Sequence, residues 1–512
     1  MLAIVNSIAL QGLEGVIVKV EVDVSNGLPG LDLVGLPDAA VRESKERVRA
    51  AIKNSGFEFP VKRITVNLAP ADIRKEGPVY DLPIAIGILA ASEQIDVNKC
   101  IEYIFMGELS LDGAIRLVNG SLPAALAAKE QSYTKMVVPA SNAGEAALVQ
   151  GVEVFPASDL TQLVSDLKNR DEMKPQQVDV NKLLSDSAKP IQDFADVKGQ
   201  LAAKRALEIA AAGGHNVFMI GTPGSGKTML ARRLPGILPD LTFEEAVEAT
   251  KVHSLAGQLQ PNQALITRRP FRSPHHSASA ASLIGGGRIP RPGEVSLAHH
   301  GVLFMDEILE FRKDVLESLR QPLEDGIVSI TRVQSSLTYP ARIMLVASAN
   351  PCPCGYYGDK TKECSCTPNQ IQRYLRRLSG PLLDRIDMHI EISRVEFNEL
   401  ENDKPGESSA SIKERVENAR YIQRQRFSNN IAVACNAQMP ASLVRKHCNA
   451  SQEARSLLRS AFKQLNLSAR SHDKILKVAR TIADLAGKFK TIEAQHMAEA
   501  LQYRNLESEL FG

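Results

Sequence analysis

The sequence predicts an α/β chain, with a parallel-sheet core between an α+β domain and a helical domain. Three observations carry this prediction. Gly221-Thr222-Pro223-Gly224-Ser225-Gly226-Lys227-Thr228 fits G-x-x-x-x-G-K-[ST], and it lies between a strand-like run, NVFMI (216–220), and the start of a helix. Two further apolar runs, VLFM (302–305) and IMLVASA (343–349), end in polar side chains, as buried parallel strands do at a ligand-binding edge. Past a break at NDKPGESS (402–409) the remaining pattern is helical.

Residues 1–165 alternate strand-like and helix-like stretches. VIVKVEVDVS (16–25) alternates Val or Ile with polar residues, the pattern of a half-buried strand. Ala39 to Ser55 spaces Val41, Val48 and Ile52 on one helical face. Ile64 to Leu68 and Tyr103 to Met106 read as short strands. Residues 166–190, polar and with few large apolar residues, are expected to be a linker. The core is expected over 191–400, opening with an Ala-rich helix from Leu201 to Ala212 that stops at Gly213-Gly214. Residues 401–512 form the helical domain, with helices at Ile412–Phe427 and Ser471–Ala486.

A chain of 512 residues is too long for one core, and at ~100–200 residues per domain two to four domains are expected. Contents of 44% hydrophobic and 23% charged residues are those of an ordinary globular protein. With 61 basic and 59 acidic residues the net charge is +2, which gives no global argument for a nucleic-acid partner; a local basic stripe still fits within that total. No apolar run reaches the ~18–20 residues that span a bilayer. The start, MLAIVNSIALQGLEG, lacks the basic residues and cleavage site of a signal peptide. A cytoplasmic location with no membrane partner is expected, and an odd count of seven cysteines fits a reducing compartment.

The glycine-rich loop has a definite chemistry. Its backbone N–H groups wrap phosphates, and the helix behind it adds a positive end. In that frame Gly221 to Thr228 bind ATP, Lys227 holds the β- and γ-phosphates, and Thr228 coordinates Mg²⁺. In GVLFMDE (301–307), Asp306 and Glu307 stand at the carboxyl end of a strand. Asp306 is expected to complete the Mg²⁺ shell, and Glu307 to orient and deprotonate the attacking water. Asn350, closing the third strand, is placed to touch the γ-phosphate or the water.

This order of motifs resembles the AAA+ ATPases, within them the magnesium-chelatase-like group, and closely the ComM/YifB family. The stretches that carry the resemblance are GLPGLDLVGLPDAAVRESKERVRAAI (27–52), AAGGHNVFMIGTPGSGKTMLARRLPGILP (211–239), RPFRSPHHSAS (269–279), PGEVSLAHHGVLFMDE (292–307) and SGPLLDRID (379–387). It implies an AAA+ P-loop core with an α-helical lid. It also implies that Arg385 is an arginine finger acting on a neighbouring subunit's ATP, within a ring of six. By the same resemblance Arg470 is the lid sensor, with Arg480 the alternative, and Val197 to Gln200, including Gly199, lie against the adenine. Residues 257–297 match an insertion that reaches a central pore. There Arg288 and Arg291 suit either phosphate contact or packing between subunits, and His275 and His276 are structural. Residues 326–342 resemble a hairpin whose tip, near Arg332 and Gln334, touches DNA.

The N-terminal domain resembles the Lon-protease fold (S5 domain 2-like), on GELSLDGAIRLVNGSLPAALAAKE (107–130) and KEGPVYDLPIAIGILA (75–90). The Lon pattern needs a serine where Val79 stands and a lysine where this chain offers Leu122 and Ala124. A Ser–Lys dyad cannot form without both groups, so the domain is expected to be a non-proteolytic scaffold or a platform that contacts DNA.

Cys352, Cys354, Cys364 and Cys366 form C-x-C…C-x-C directly after Asn350. They either close a tetrahedral Zn²⁺ site or stay free thiols, the spacing being tighter than the usual C-x₂₋₄-C. Cys100, Cys435 and Cys448 lack such pairing. The function expected from the resemblance is an ATP-driven DNA motor, a hexameric helicase for branch migration acting on single-stranded or branched DNA in recombination or natural transformation. The alternatives are a chelatase-like or protein-remodelling ATPase acting on a protein partner, and a nucleotide-gated assembly protein.

Overall fold

The computed structural model of the chain describes residues 1–169, 173–185, 192–260, 263–287, 290–332, 335–359, 361–395, 399, 406–428, 430, 433–464, 468–488 and 490–504. The N-terminal sheet has seven strands. Across it run Gly30–Val34, Arg63–Ala69, Glu14–Ser25, Leu2–Gln11, Tyr103–Phe105, Lys135–Pro139 and Glu153–Ala157. The hairpin of Leu2–Gln11 and Glu14–Ser25 is antiparallel, and the last three strands run parallel to Leu2–Gln11. Val18, Val20, Val22 and Val24 are buried, so the alternation in the sequence does set one face inward. The helix Ala39–Asn54 begins where the Asp38 carboxylate accepts from the Val41 N–H at 2.8 Å, and it buries Val41, Val48 and Ile52.

The second sheet has five parallel strands, in the order Phe271–Arg272, Val302–Met305, Met344–Ala349, Val217–Ile220 and Met388–Glu391. The three inner strands are buried along their whole length, which is why they read as apolar runs interrupted only by Ser348. The helix Leu201–Gly213 packs on this sheet and ends at Gly214, whose φ of 70° is the left-handed cap that glycine adopts without strain.

The stretch expected as a linker carries structure. Its first residues complete the helix Leu160–Lys168, and Val180–Ser185 is a further helix. Val180, Leu183 and Leu184 fall on one helical stripe and pack on the core beneath. Three well-spaced apolar residues therefore suffice where composition alone suggested a free tether. Residues 170–172 and 186–190 of that stretch lie outside the described residues.

The same core joins the two sheets' domains. Leu122, Ala124 and Ala125 from the helix Ser121–Glu130 pack with Ala246 and Ala249 from the helix Phe243–Ala256, and with Leu265 and Ile266 beyond it. The Gly120 N–H donates to the Ser254 carbonyl at 3.1 Å. After Phe243–Ala256 the chain forms the short helix Ala280–Ile284 and a small ladder, Gly285–Gly286 against Arg291–Pro292. Arg291 is exposed, and Arg288 lies outside the described residues. The hairpin Ile327–Arg332 with Ser335–Pro340 ties to this insertion through the Tyr339 hydroxyl, which donates to the Pro290 carbonyl at 2.9 Å. Gln334 and the Arg332 side chain lie outside the described residues. His275 and His276 stack on each other at 4.0 Å, with His275 bonded to Ser277.

The C-terminal region is helical, with Ser409–Arg426 and Ala469–Leu485 packed against each other and against Leu201–Gly213. A buried ion cluster pins the first two together. Asp484 accepts two bonds from Arg426, at 2.7 and 2.5 Å, one from Arg480 at 3.1 Å and one from Asn436 at 2.8 Å. Asp484→Ala would leave two guanidinium groups buried without a counter-charge. It is expected to cost about 3–5 kcal/mol, read as a lower unfolding midpoint; an unchanged midpoint would show that the cluster bears little on stability.

Candidate nucleotide site

The loop from Gly221 to Gly226 leaves the strand Val217–Ile220 and enters the helix Lys227–Arg233. Gly224 and Gly226 hold φ of 78° and 95°, left-handed values that fold the backbone tightly around the space in front of the helix. The Lys227 ammonium donates to the carbonyls of Gly221 at 2.6 Å and Thr222 at 3.0 Å, and to the Asn350 side-chain oxygen at 3.2 Å. Burial pulls Lys227 below its ordinary pKa, while Asp306 and Glu307 pull it back up. A buried cation beside two acids suits an anionic phosphate as its next partner.

Asp306 follows the buried strand Val302–Met305 and accepts from the Thr228 hydroxyl at 2.8 Å. Thr228 and Asp306 thus present adjacent oxygens, a set that can bind Mg²⁺ beside a nucleotide's phosphates. Ser348 donates to the other Asp306 oxygen, and it accepts from the Glu307 N–H at 3.2 Å. Glu307 itself is exposed and takes φ of 52°, a left-handed value that a non-glycine residue adopts only where its surroundings enforce it. Two hydrogen-bonded pairs, Lys227 with Asn350 and Thr228 with Asp306, are therefore set side by side, with Glu307 next to Asp306.

Ser348 and Arg394 are contacts the motifs did not name. Ser348 stands two residues before Asn350 and so shares its face of the strand, a signal that was available in the sequence. Arg394 donates to the Thr222 hydroxyl at 3.3 Å and to that of Thr361 at 3.1 Å, and it pairs with Asp359 at 3.3 Å. Nothing local marks it. Val197 is fully buried, with its carbonyl taken by Lys204 at 2.6 Å. The segment meets the loop through Gln200, which follows Gly199 (φ 58°) and whose amide donates to the Ser225 carbonyl at 3.2 Å.

Arg385 lies at the other end of the sheet. Its carbonyl accepts from Asn216 at 2.9 Å, and Asn216 precedes the strand whose far end carries the glycine-rich loop. Four strand residues put about 13 Å between those ends. The Arg385 guanidinium pairs with Glu324 and donates to the Pro381 carbonyl at 2.7 Å; among the described residues its Nε has no partner. Arg470 lies on the same side, 3.9 Å from Asp384, and is 65% exposed. The alternative, Arg480, is fully buried and paired with Asp484 at 3.1 Å.

Comparison with known proteins follows the same outline. Magnesium chelatase subunit ChlI families match residues 193–400, 20–142 and, as the ChlI C-terminal family, 406–504. The competence protein ComM of Haemophilus influenzae is 46% identical over 506 residues, 98% of this chain and 97% of its own. The chain belongs to the ComM/YifB family. The uncharacterized protein YifB of Escherichia coli is likewise 46% identical, over 509 residues, covering 99% of this chain and 97% of its own. The chain thus carries the family's magnesium-chelatase-like AAA+ ATPase core. Lon protease 2 of Bacillus subtilis gives a weaker likeness at the N-terminal region, 25% over 200 residues, 35% of this chain and 36% of its own.

In this ComM/YifB-family chain the residues that the Lon resemblance sets against its dyad, Val79, Leu122 and Ala124, are packing residues. Leu122 is fully buried, and Val79 packs against the cores on either side of it. The four clustered cysteines converge, with all four sulfurs within 4.8 Å of one another. The Tyr356 N–H leads the interactions that hold the Cys354 thiol down to about 5. Cys364, although the Cys366 N–H favours its thiolate, is pushed up to about 12 by burial and by the Cys354 and Cys352 sulfurs. No helix among the described residues is long and apolar enough to cross a membrane.

Proposed function

We propose that this AAA+ ATPase works as a ring, most simply a hexamer, that drives branch migration on single-stranded or branched DNA during recombination or natural transformation. The observation that carries the ring is the separation of Arg385 from its own glycine-rich loop. A finger at that end of the sheet can serve only ATP held by another copy, and exposed Arg470 beside Asp384 faces the same way. In this reading the Gly221–Thr228 loop binds ATP with Val197 and Gly199 on its adenine side, and Thr228 and Asp306 would hold the Mg²⁺ that neutralises charge on the phosphates. Glu307 takes the water's proton, Asn350 holds the γ-phosphate, and Arg385 and Arg470 arrive from the neighbour. Residues 1–165 act as a scaffold, 191–400 as the motor and 401–512 as the lid. The DNA substrate draws its support from ComM, named a competence protein. The insertion and hairpin, joined through Tyr339 and Pro290, are the natural pore elements.

A second reading, remodelling of a protein partner in the manner of a chelatase subunit, is favoured by ChlI families covering both domains and the lid. The test is the ATPase rate of the full chain alone, with single-stranded DNA and with a four-way junction, alongside strand exchange on the junction. DNA should raise the rate, and ATP should be needed for exchange. A rate indifferent to every DNA form, with no binding to any, would overturn the DNA reading and leave the protein-directed one.

A further inference from the structure

From the four converging cysteines we infer a structural Zn²⁺ site that holds the wall of the nucleotide pocket in place. The Cys352 and Cys354 sulfurs are 3.3 Å apart, Cys352 and Cys364 3.7 Å, and Cys354 and Cys364 3.5 Å. These separations far exceed a disulfide bond of about 2.05 Å. They approach the edge of about 3.8 Å that four thiolates at 2.3 Å from one zinc ion must have. Sulfurs converging on a single point suit one ion; a multi-iron cluster spreads its ligands over several metals.

The backbone around the sulfurs is arranged for thiolates. The Tyr357 N–H donates to the Cys352 sulfur at 3.3 Å, the Cys354 N–H to Cys366 at 3.4 Å, and the Cys366 N–H to Cys364 at 3.4 Å. Such donors to metal-bound sulfur fix the ligands and temper their charge. The surroundings are apolar: Cys352 is fully buried, and the other three pack against the same core.

The position gives the site its consequence. Cys352 stands two residues past Asn350, and Cys366 immediately precedes Thr367, the cap of the helix Pro368–Leu375. An ion here would close the connection between the sensor strand and that helix into one rigid loop. The loop leans on the phosphate-binding backbone, since a Cβ on Gly355 would meet the Pro223 ring at 2.7 Å. Arg394 ties the two together, reaching Asp359 and Thr361 on the cysteine loop and Thr222 on the glycine-rich one. Loss of the metal would free this wall and weaken nucleotide binding. The inference does not depend on DNA being the substrate.

Elemental analysis of the full chain, purified with reductant and without chelator, should find about one zinc per chain and no visible absorbance. Cys364→Ser with Cys366→Ser, both half-exposed positions, should abolish the zinc; Cys100→Ser with Cys435→Ser should keep it. Zinc stripped from the unsubstituted chain should weaken binding of a fluorescent ATP analogue by about tenfold, the usual scale of losing a supporting shell. Added Zn²⁺ should restore binding where Mg²⁺ does not. Metal-free protein with four readily alkylated thiols, zinc that survives the Cys364 and Cys366 substitutions, or an iron chromophore would each overturn the site. Zinc-free chain that binds the analogue as tightly as the loaded chain would overturn its link to the pocket.

Discussion

Glu307→Gln is expected to bind ATP as the unsubstituted chain does and to hydrolyse it about 10²–10⁴ times more slowly, the usual contribution of a general base. Asp306 is engaged on both oxygens, by Thr228 and Ser348, and so is committed to the metal side of the site. Glu307 next to it is exposed, and its backbone is held by Ser348. It is the acid at this strand end left open to a water. Glutamine keeps the shape and the hydrogen bonding and removes only the ability to accept a proton. Single-turnover hydrolysis beside equilibrium nucleotide binding separates the two effects. Turnover at the original rate would assign the base to another residue, and lost nucleotide binding would move Glu307 into the metal shell.

Arg385→Ala should cost about 10³–10⁵ in hydrolysis, the range over which an arginine finger stabilises phosphoryl transfer. Its own chain holds Arg385 at the wrong end of the sheet for any shorter-range role. Lys227→Ala should fail for a different reason, because the cation that faces the phosphates is gone. Mixing the two inactive variants should restore part of the activity. Some interfaces then combine an intact loop from one copy with an intact finger from the other. Glu324→Ala is the control, since it removes the in-chain partner of Arg385 and should leave the finger working. No recovery on mixing, in rings shown to exchange subunits, would place the finger's action within one chain and undo the ring argument.

The fold was readable because its signals are local. Val18 to Val24 alternate, the three inner strands of the second sheet are apolar runs interrupted only by Ser348, and the glycine-rich loop names its own conformation. The candidate site was readable to the extent that Lys227, Thr228, Asp306 and Asn350 stand at strand ends that one sheet must bring together. Arg394 was not readable, because its contact with Thr222 depends on where an outer strand delivers it. Val180–Ser185 lies in a stretch whose polar composition reads as a linker, and only the spacing of Val180, Leu183 and Leu184 marks its helix. The convergence of four sulfurs could be posed from C-x-C…C-x-C, but their distances follow from the folded loop that turns at Gly355 and Gly358.

The seam between the helices Ser121–Glu130 and Phe243–Ala256 bears on how force travels. Leu241, Ala246 and Ala249 are covered by the N-terminal domain, so a fragment cut out after residue 190 would bare an apolar scar and tend to aggregate. The helix that carries this scar also leads into the insertion. If nucleotide turnover rocks that helix, the whole seven-stranded sheet must swing with it. In a ring the N-terminal halves would then form a collar geared to the stroke, sweeping in step with the pore instead of trailing on tethers.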